Sequence, residues 1–181
     1  MSIYAHPHWH WCAQNMPDCV SDYIFENGLM DAFELLGGQT IGENNTQVAL
    51  WQEYGMKGKR YPVVSSSDSH SVAGGGGAFN KLFTVVFADN PSLESVAAAI
   101  LKNENVAVER IDQTRAYGSL RYVFFMQYLS RNYFPIYEEL CNNIGSFIKM
   151  YFEGFEGAEQ GIKTAQKYAD IFAEKFFGRQ K

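Results

Sequence analysis

The sequence predicts an α/β fold, built first from parallel βαβ units and then from an α-helical tail. Three observations carry that reading. Strand-like and helix-like stretches alternate from Ser2 to Ile111, residues with coordinating or acid–base chemistry recur where strands run out, and from Ser119 the apolar spacing turns helical. With 181 residues, 46% hydrophobic and 15% aromatic, the chain has ample material for a core and does not read as disordered.

Taken in order, Ser2 to Ala5 reads as the last residues of a strand ending in His6-Pro7. Asp18 is expected to cap a helix whose Val20, Tyr23 and Ile24 share a face and which Gly28 stops. Asp31 to Leu36 is a short strand placing Glu34 among apolar neighbours, and Asn44 or Asn45 is expected to cap the next helix, which carries Val48, Leu50, Trp51 and Tyr54. Tyr61 to Val64 is a buried strand, and Ser65 to His70 follows it. Gly74 to Gly77 form a loop facing substrate or a plain connector, without GxGxxG or Walker spacing. Leu82 to Ala88 is a strand, Asn90-Pro91 a helix start, and Val106 to Ile111 a closing strand. Tyr122, Phe125, Met126 and Leu129 then fall at helical spacing, Pro135 punctuates, and Ile136 to Phe152 and Ala158 to Phe177 continue as helices. Their Tyr and Phe stripe reads as core or subunit contact.

The candidate site residues sit near strand ends. Residues i and i+2 of an extended segment point the same way, so Asp68 and His70 can offer a carboxylate oxygen and an imidazole nitrogen to one divalent ion. The same Asp-Ser-His pattern also suits a turn with a hydrogen-bonded histidine. His6, His8 and His10 alternate with Pro7, Trp9 and Trp11, which gathers three imidazoles on one side of an extended segment. His6 is the stronger candidate; His8 and His10 are ligands or members of an exposed aromatic loop. Glu34, a carboxylate in an apolar strand, needs a partner, either as a metal ligand or as a hydrogen-bonded organiser beside one. From His6 to Glu34 is 28 residues and from Glu34 to Asp68 is 34, about one βαβ unit each. In parallel folds the C-terminal strand ends share one rim, where active sites form.

These residues resemble a family. Tyr4-Ala5-His6-Pro7, Asp31-Ala32-Phe33-Glu34-Leu35 and Ser67-Asp68-Ser69-His70-Ser71 look like the later motifs of the PHP (polymerase and histidinol phosphatase) family, metal-dependent phosphoesterases. The likeness continues through Thr84 to Ala88. It implies the C-terminal part of a distorted seven-stranded, TIM-like β/α barrel over residues 1–111, with 112–181 as an α-helical extension. By resemblance His6, Asp68 and His70 are ligands in a cluster of divalent ions (Zn, Mn or Fe), with Glu34 at the site's edge. The implied activity is hydrolysis of a phosphate ester on a small molecule or nucleotide.

The family's opening His-x-His motif and its further ligands are missing, and all four histidines are already accounted for. The chain is therefore expected to be the C-terminal part of a longer protein, or else a reduced relative acting through assembly. An unclosed set of strands predicts association with a missing N-terminal segment or with a second copy. Arg60, Arg110 and Arg115 are candidates for gripping phosphate, with none assigned as catalytic. A net charge of −5 without a basic cluster argues against an extended nucleic-acid surface. No stretch approaches 18 apolar residues and the N-terminus lacks a signal-peptide pattern, so a cytoplasmic location without a membrane partner is expected. Cys12, Cys19 and Cys141 are odd in number and lack CxxC spacing, which suits reduced thiols.

Overall fold

The computed structural model describes residues 1–8, 17–37, 40–69, 81–110 and 114–178. The chain divides into two compact units, Met1–Met126 and Gln127–Lys181.

In the first unit, β1 (Ile3–Tyr4), β2 (Ala32–Leu36) and β3 (Val63–Ser65) form a sheet in the order β1-β2-β3, all parallel as the sequence predicts. Register pairs Tyr4 with Phe33 and Glu34 with Val64, then shifts so that Leu36 meets Ser65. β2 is buried along its whole length, as a central parallel strand must be when both faces are covered. Two helices cover the face that carries Phe33 and Leu35, while Ala32 on the other face packs with Val64 and Ile100. In α1 (Asp18–Asn27), Pro17 holds the capping position without a side-chain bond, Asp18 is the first helical residue, and Gly28 ends the helix at φ 63°. A carboxylate in the first turn still meets the positive end of the helix dipole.

α2 (Ile41–Met56) starts earlier than either asparagine implied. Thr40 and Glu43 form a reciprocal capping box, each side chain bonding the other's backbone N–H. Asn44 is thereby freed to turn into the core. Phe25 is the hub between the helices and the sheet: it stacks on Tyr54 at 4.3 Å and meets Phe33 edge-on at 5.2 Å. Burial of each such ring stabilises the fold by roughly 1.5–3 kcal/mol, and Tyr54 adds a hydrogen bond from its hydroxyl to Asp22 Oδ1.

The second sheet overturns the barrel expectation. β4 (Leu82–Val86), β5 (Asn105–Arg110) and β6 (Thr114–Gly118) pair in the order β4-β5-β6, antiparallel throughout, so the described residues of the unit form two three-stranded sheets and no closed barrel. The reason lies in α3 (Leu93–Leu101), capped by Ser92, with Asn90 Oδ1 accepting from the Ser92 N–H. A helix between two strands makes them parallel only if it carries the chain back along the sheet. Here the excursion returns to the end it left, closed by Phe87 N–H donating to Glu104 O at 2.8 Å. β6 is a strand that the sequence reading did not predict.

β5 nevertheless runs alongside β3 in the same direction. Asn105 Nδ2 donates to Val63 O at 2.5 Å and Ser65 Oγ to Val108 O at 3.0 Å. Thr84 Oγ1 meets both the N–H and the carbonyl of Ser65, so side chains rather than a backbone ladder join the two sheets.

α4 (Leu120–Asn132) leads into the second unit, where α5 (Phe134–Phe152) and α6 (Ala158–Phe177) pack on each other, matching the expected helices. Gly161 lets them approach closely, since a Cβ there would lie 2.4 Å from Phe147 Cδ1. Tyr133 is buried against Tyr137 and Phe172 at centroid distances of 5.0 and 5.4 Å, so part of the aromatic stripe is core. Among the described residues no helix is long and apolar enough to cross a membrane.

Candidate functional site

The C-terminal ends of β1, β2 and β3 lie side by side, and Glu34 is the centre of what they carry. Its neighbours Ala32, Phe33, Leu35 and Leu36 are all fully buried, which drags the carboxylate to 4% exposure. Burying an ionised group at that depth requires partners on every side. Glu34 has three donors. Its Oε2 accepts the backbone N–H of His6 at 2.9 Å and lies 2.7 Å from His6 Nδ1, while its Oε1 accepts the Ser66 hydroxyl.

The chemistry of that arrangement follows from its direction. A carboxylate can only accept, so the proton between Glu34 and His6 sits on Nδ1, and in the neutral imidazole the ring lone pair is then on Nε2. Buried carboxylates that fix a histidine tautomer in this way are the usual outer support of a metal-binding imidazole, and equally of a catalytic base.

Two of the sequence-predicted residues have unusual backbones. His6 has φ 28° and Asp68 φ 49°, a region that costs side-chain-bearing residues of order 1 kcal/mol or more unless the surroundings hold them. For His6 the surroundings are visible: Glu34 grips both its backbone and its ring. Asp68 is exposed between Ser67 and Ser69, where Ser69 N–H donates to Ser67 Oγ at 3.3 Å. His8 is half-buried with its Nδ1 enclosed and unbonded. Burial holds the pKa of its imidazole below the usual value, partly offset by the Asp18 carboxylate. His10 and His70 lie outside the described residues, as does the Gly74–Gly77 loop. Among the described residues no three His, Cys, Asp or Glu side chains are gathered as a metal cluster.

The arginines separate. Arg115 is held by the buried carboxylate of Glu109 through two nitrogens and bonds Asn45 Oδ1 at 2.6 Å. Arg110 N–H donates to Lys81 O where β4 and β5 meet. Arg60 precedes the N-terminal end of β3, away from His6 and Asp68.

Sequence reasoning missed the polar network beside the rim. Asn44 Oδ1 accepts Gly37 N–H at 3.0 Å, its Nδ2 donates to Gly37 O at 3.2 Å, and the same Nδ2 reaches Glu109 Oε1 at 3.4 Å. The segment leaving β2 is thus anchored to β5. The signal was present, since Glu109 follows Val106-Ala107-Val108 and is 2% exposed, the same carboxylate-in-an-apolar-strand pattern that singled out Glu34.

No protein-family profile, curated protein or solved structure matches this chain.

Proposed function

We propose that the rim around His6, Glu34 and Asp68 is the metal-dependent hydrolytic centre of a phosphoesterase. The observation that carries it is the His6–Glu34 pair, a buried carboxylate that holds both the backbone and the ring Nδ1 of a histidine, as the outer support of a metal-binding imidazole does. The donor set suits a borderline divalent ion such as Zn, Mn or Fe: His6 Nε2 and the Asp68 carboxylate would hold it, with His70 two residues further along the sequence. Glu34 orients from behind, because both its oxygens are already engaged. The enclosed, unbonded Nδ1 of His8 is a further polar atom in want of a partner. A bound ion would supply positive charge to phosphoryl oxygens and a water of lowered pKa. The likeness of the His6, Glu34 and Asp68–His70 motifs to PHP phosphoesterases supports a phosphate ester as substrate.

The test is direct. Purified protein is assayed for bound metal by elemental analysis and for turnover of p-nitrophenyl phosphate and its bis ester, alongside His6→Ala. Metal and turnover that both fall in His6→Ala support the reading; undiminished metal content in that variant rejects it.

A second reading, assembly without catalysis, is favoured by the second unit's exposed apolar residues, with Phe152 at 83% and Phe155 at 57%. It predicts self-association in light scattering together with no turnover.

A further inference from the structure

A cavity of about 670 Å³ opens at the other end of β3, lined by Trp51, Gly55, Met56, Arg60, Tyr61 and Gly118 among others. That is within the size range of small-molecule sites. Its two aromatic walls are fixed through their polar ends. Trp51 Nε1 donates to Tyr61 O at 3.2 Å, and the Tyr61 hydroxyl donates to Phe25 O at 2.7 Å. Each ring therefore keeps its polar atom satisfied within the fold, and what it can offer to the cavity is carbon surface.

The glycines separate two roles. Gly118 is required by the fold, since a Cβ there would meet Asn105 O at 2.6 Å across the β5–β6 pair. Gly55 has no such reason: it is the penultimate residue of α2, its φ is ordinary, and a Cβ on it would meet nothing within 4 Å. Gly55 therefore leaves the space beside it open on the cavity side, where a larger side chain would intrude.

Charge defines the occupant. Arg60 forms no hydrogen bond or ion pair among the described residues, and among those lining the cavity there is no Asp, Glu, His or Cys. A guanidinium beside an indole and a phenol suits a flat ring bearing one negative group, with ring faces against aromatic carbon and the anion on the planar fork. The geometry points to a binding site for a small aromatic anion, a carboxylate or phosphate on a planar ring, remote from the His6–Glu34 rim and free of reactive groups. It stands independently of the phosphoesterase reading.

The probe pair is 2-naphthoate and its uncharged analogue 2-naphthalenemethanol, titrated by NMR into the full chain and three variants. The naphthoate is expected to bind about fivefold tighter than the alcohol, the worth of one partly solvated ion pair. Arg60→Gln removes that difference. Met56→Glu, at a residue 83% exposed, weakens naphthoate selectively, and Gly55→Leu fills the cavity and removes binding of both probes while the helical circular-dichroism signal persists. Absence of saturable binding, equal affinity for the two probes, or naphthoate binding unchanged in Arg60→Gln and Met56→Glu overturns the proposal. Because those two side chains are exposed, they decide the matter even where Gly55→Leu fails to fold.

Discussion

One oxygen of Glu34, Oε2, takes both the backbone N–H and the ring Nδ1 of His6, at 2.9 and 2.7 Å, across 28 residues of sequence. The rim at the ends of β1, β2 and β3 therefore depends on this carboxylate for its shape as well as its charge. Glu34→Ala strands the His6 N–H and the Ser66 hydroxyl and opens a cavity, and it should cost about 2–4 kcal/mol in denaturant unfolding. Glu34→Gln keeps the volume but places an amide where three donors converge. It should cost less stability, while metal affinity falls about 10–100-fold through loss of the imidazole's support. Equal metal affinity in Glu34→Gln and the parent would show that Glu34 is structural alone.

Asp68 can be tested without disturbing its backbone. Asparagine tolerates the left-handed region that Asp68 occupies at φ 49°, so Asp68→Asn should leave thermal stability within about 0.5 kcal/mol. The same change removes the anionic donor, and bound metal by elemental analysis should drop with it. Metal content identical to the parent would remove Asp68 from the site.

Two glycines on facing helices should respond to alanine with opposite sign. Gly145 lies within α5, and a Cβ there would meet nothing within 4 Å, so Gly145→Ala should stabilise by about 1 kcal/mol through helix propensity. At Gly161 the new Cβ would sit 2.4 to 2.8 Å from three atoms of the Phe147 ring, including Cγ close to the backbone. Overpacking of this kind costs about 1–3 kcal/mol, more than the propensity gain. Chemical denaturation followed by helical circular dichroism distinguishes them, and a stabilised Gly161→Ala would mean that the α5–α6 approach is looser than described.

Tyr133 gives the second unit a pH limit. Burial, with smaller contributions from Tyr137 and Cys141, pushes its phenol from 10.0 up to about 12. A group held protonated in the fold stabilises it at every pH below its unfolded value; the contribution is lost as pH climbs from about 10 towards 12, because the unfolded chain releases its proton first. Denaturant midpoints should thus fall over that interval, and Tyr133→Phe should flatten part of the decline. An unchanged slope in the variant would place the titration elsewhere.

The sequence by itself determined the local elements and the parallel sheet. Gly28 stops α1, the apolar residues around Glu34 in β2 are buried on both faces, and the spacing of His6, Glu34 and Asp68 follows three adjacent strands, because these depend on interactions within a few residues or on a one-unit repeat. Cap identity was only partly legible: Thr40 and Glu43 form a capping box that a reading centred on the two asparagines passed over, and Asn44 was then free to bind Gly37 and Glu109. What only the tertiary structure decided was the direction of the later strands and the partners of the charges. Helical periodicity in α3 is the same whether the helix crosses the sheet or returns to the end it left, and the bond from Phe87 to Glu104 settles that locally invisible choice for β4 and β5. Likewise Glu34 and Glu109 look alike in sequence, each a carboxylate in an apolar strand. One faces His6 and Ser66 at the rim and the other faces Arg115 and Asn44, and that difference arises from which strands and helices pack beside them.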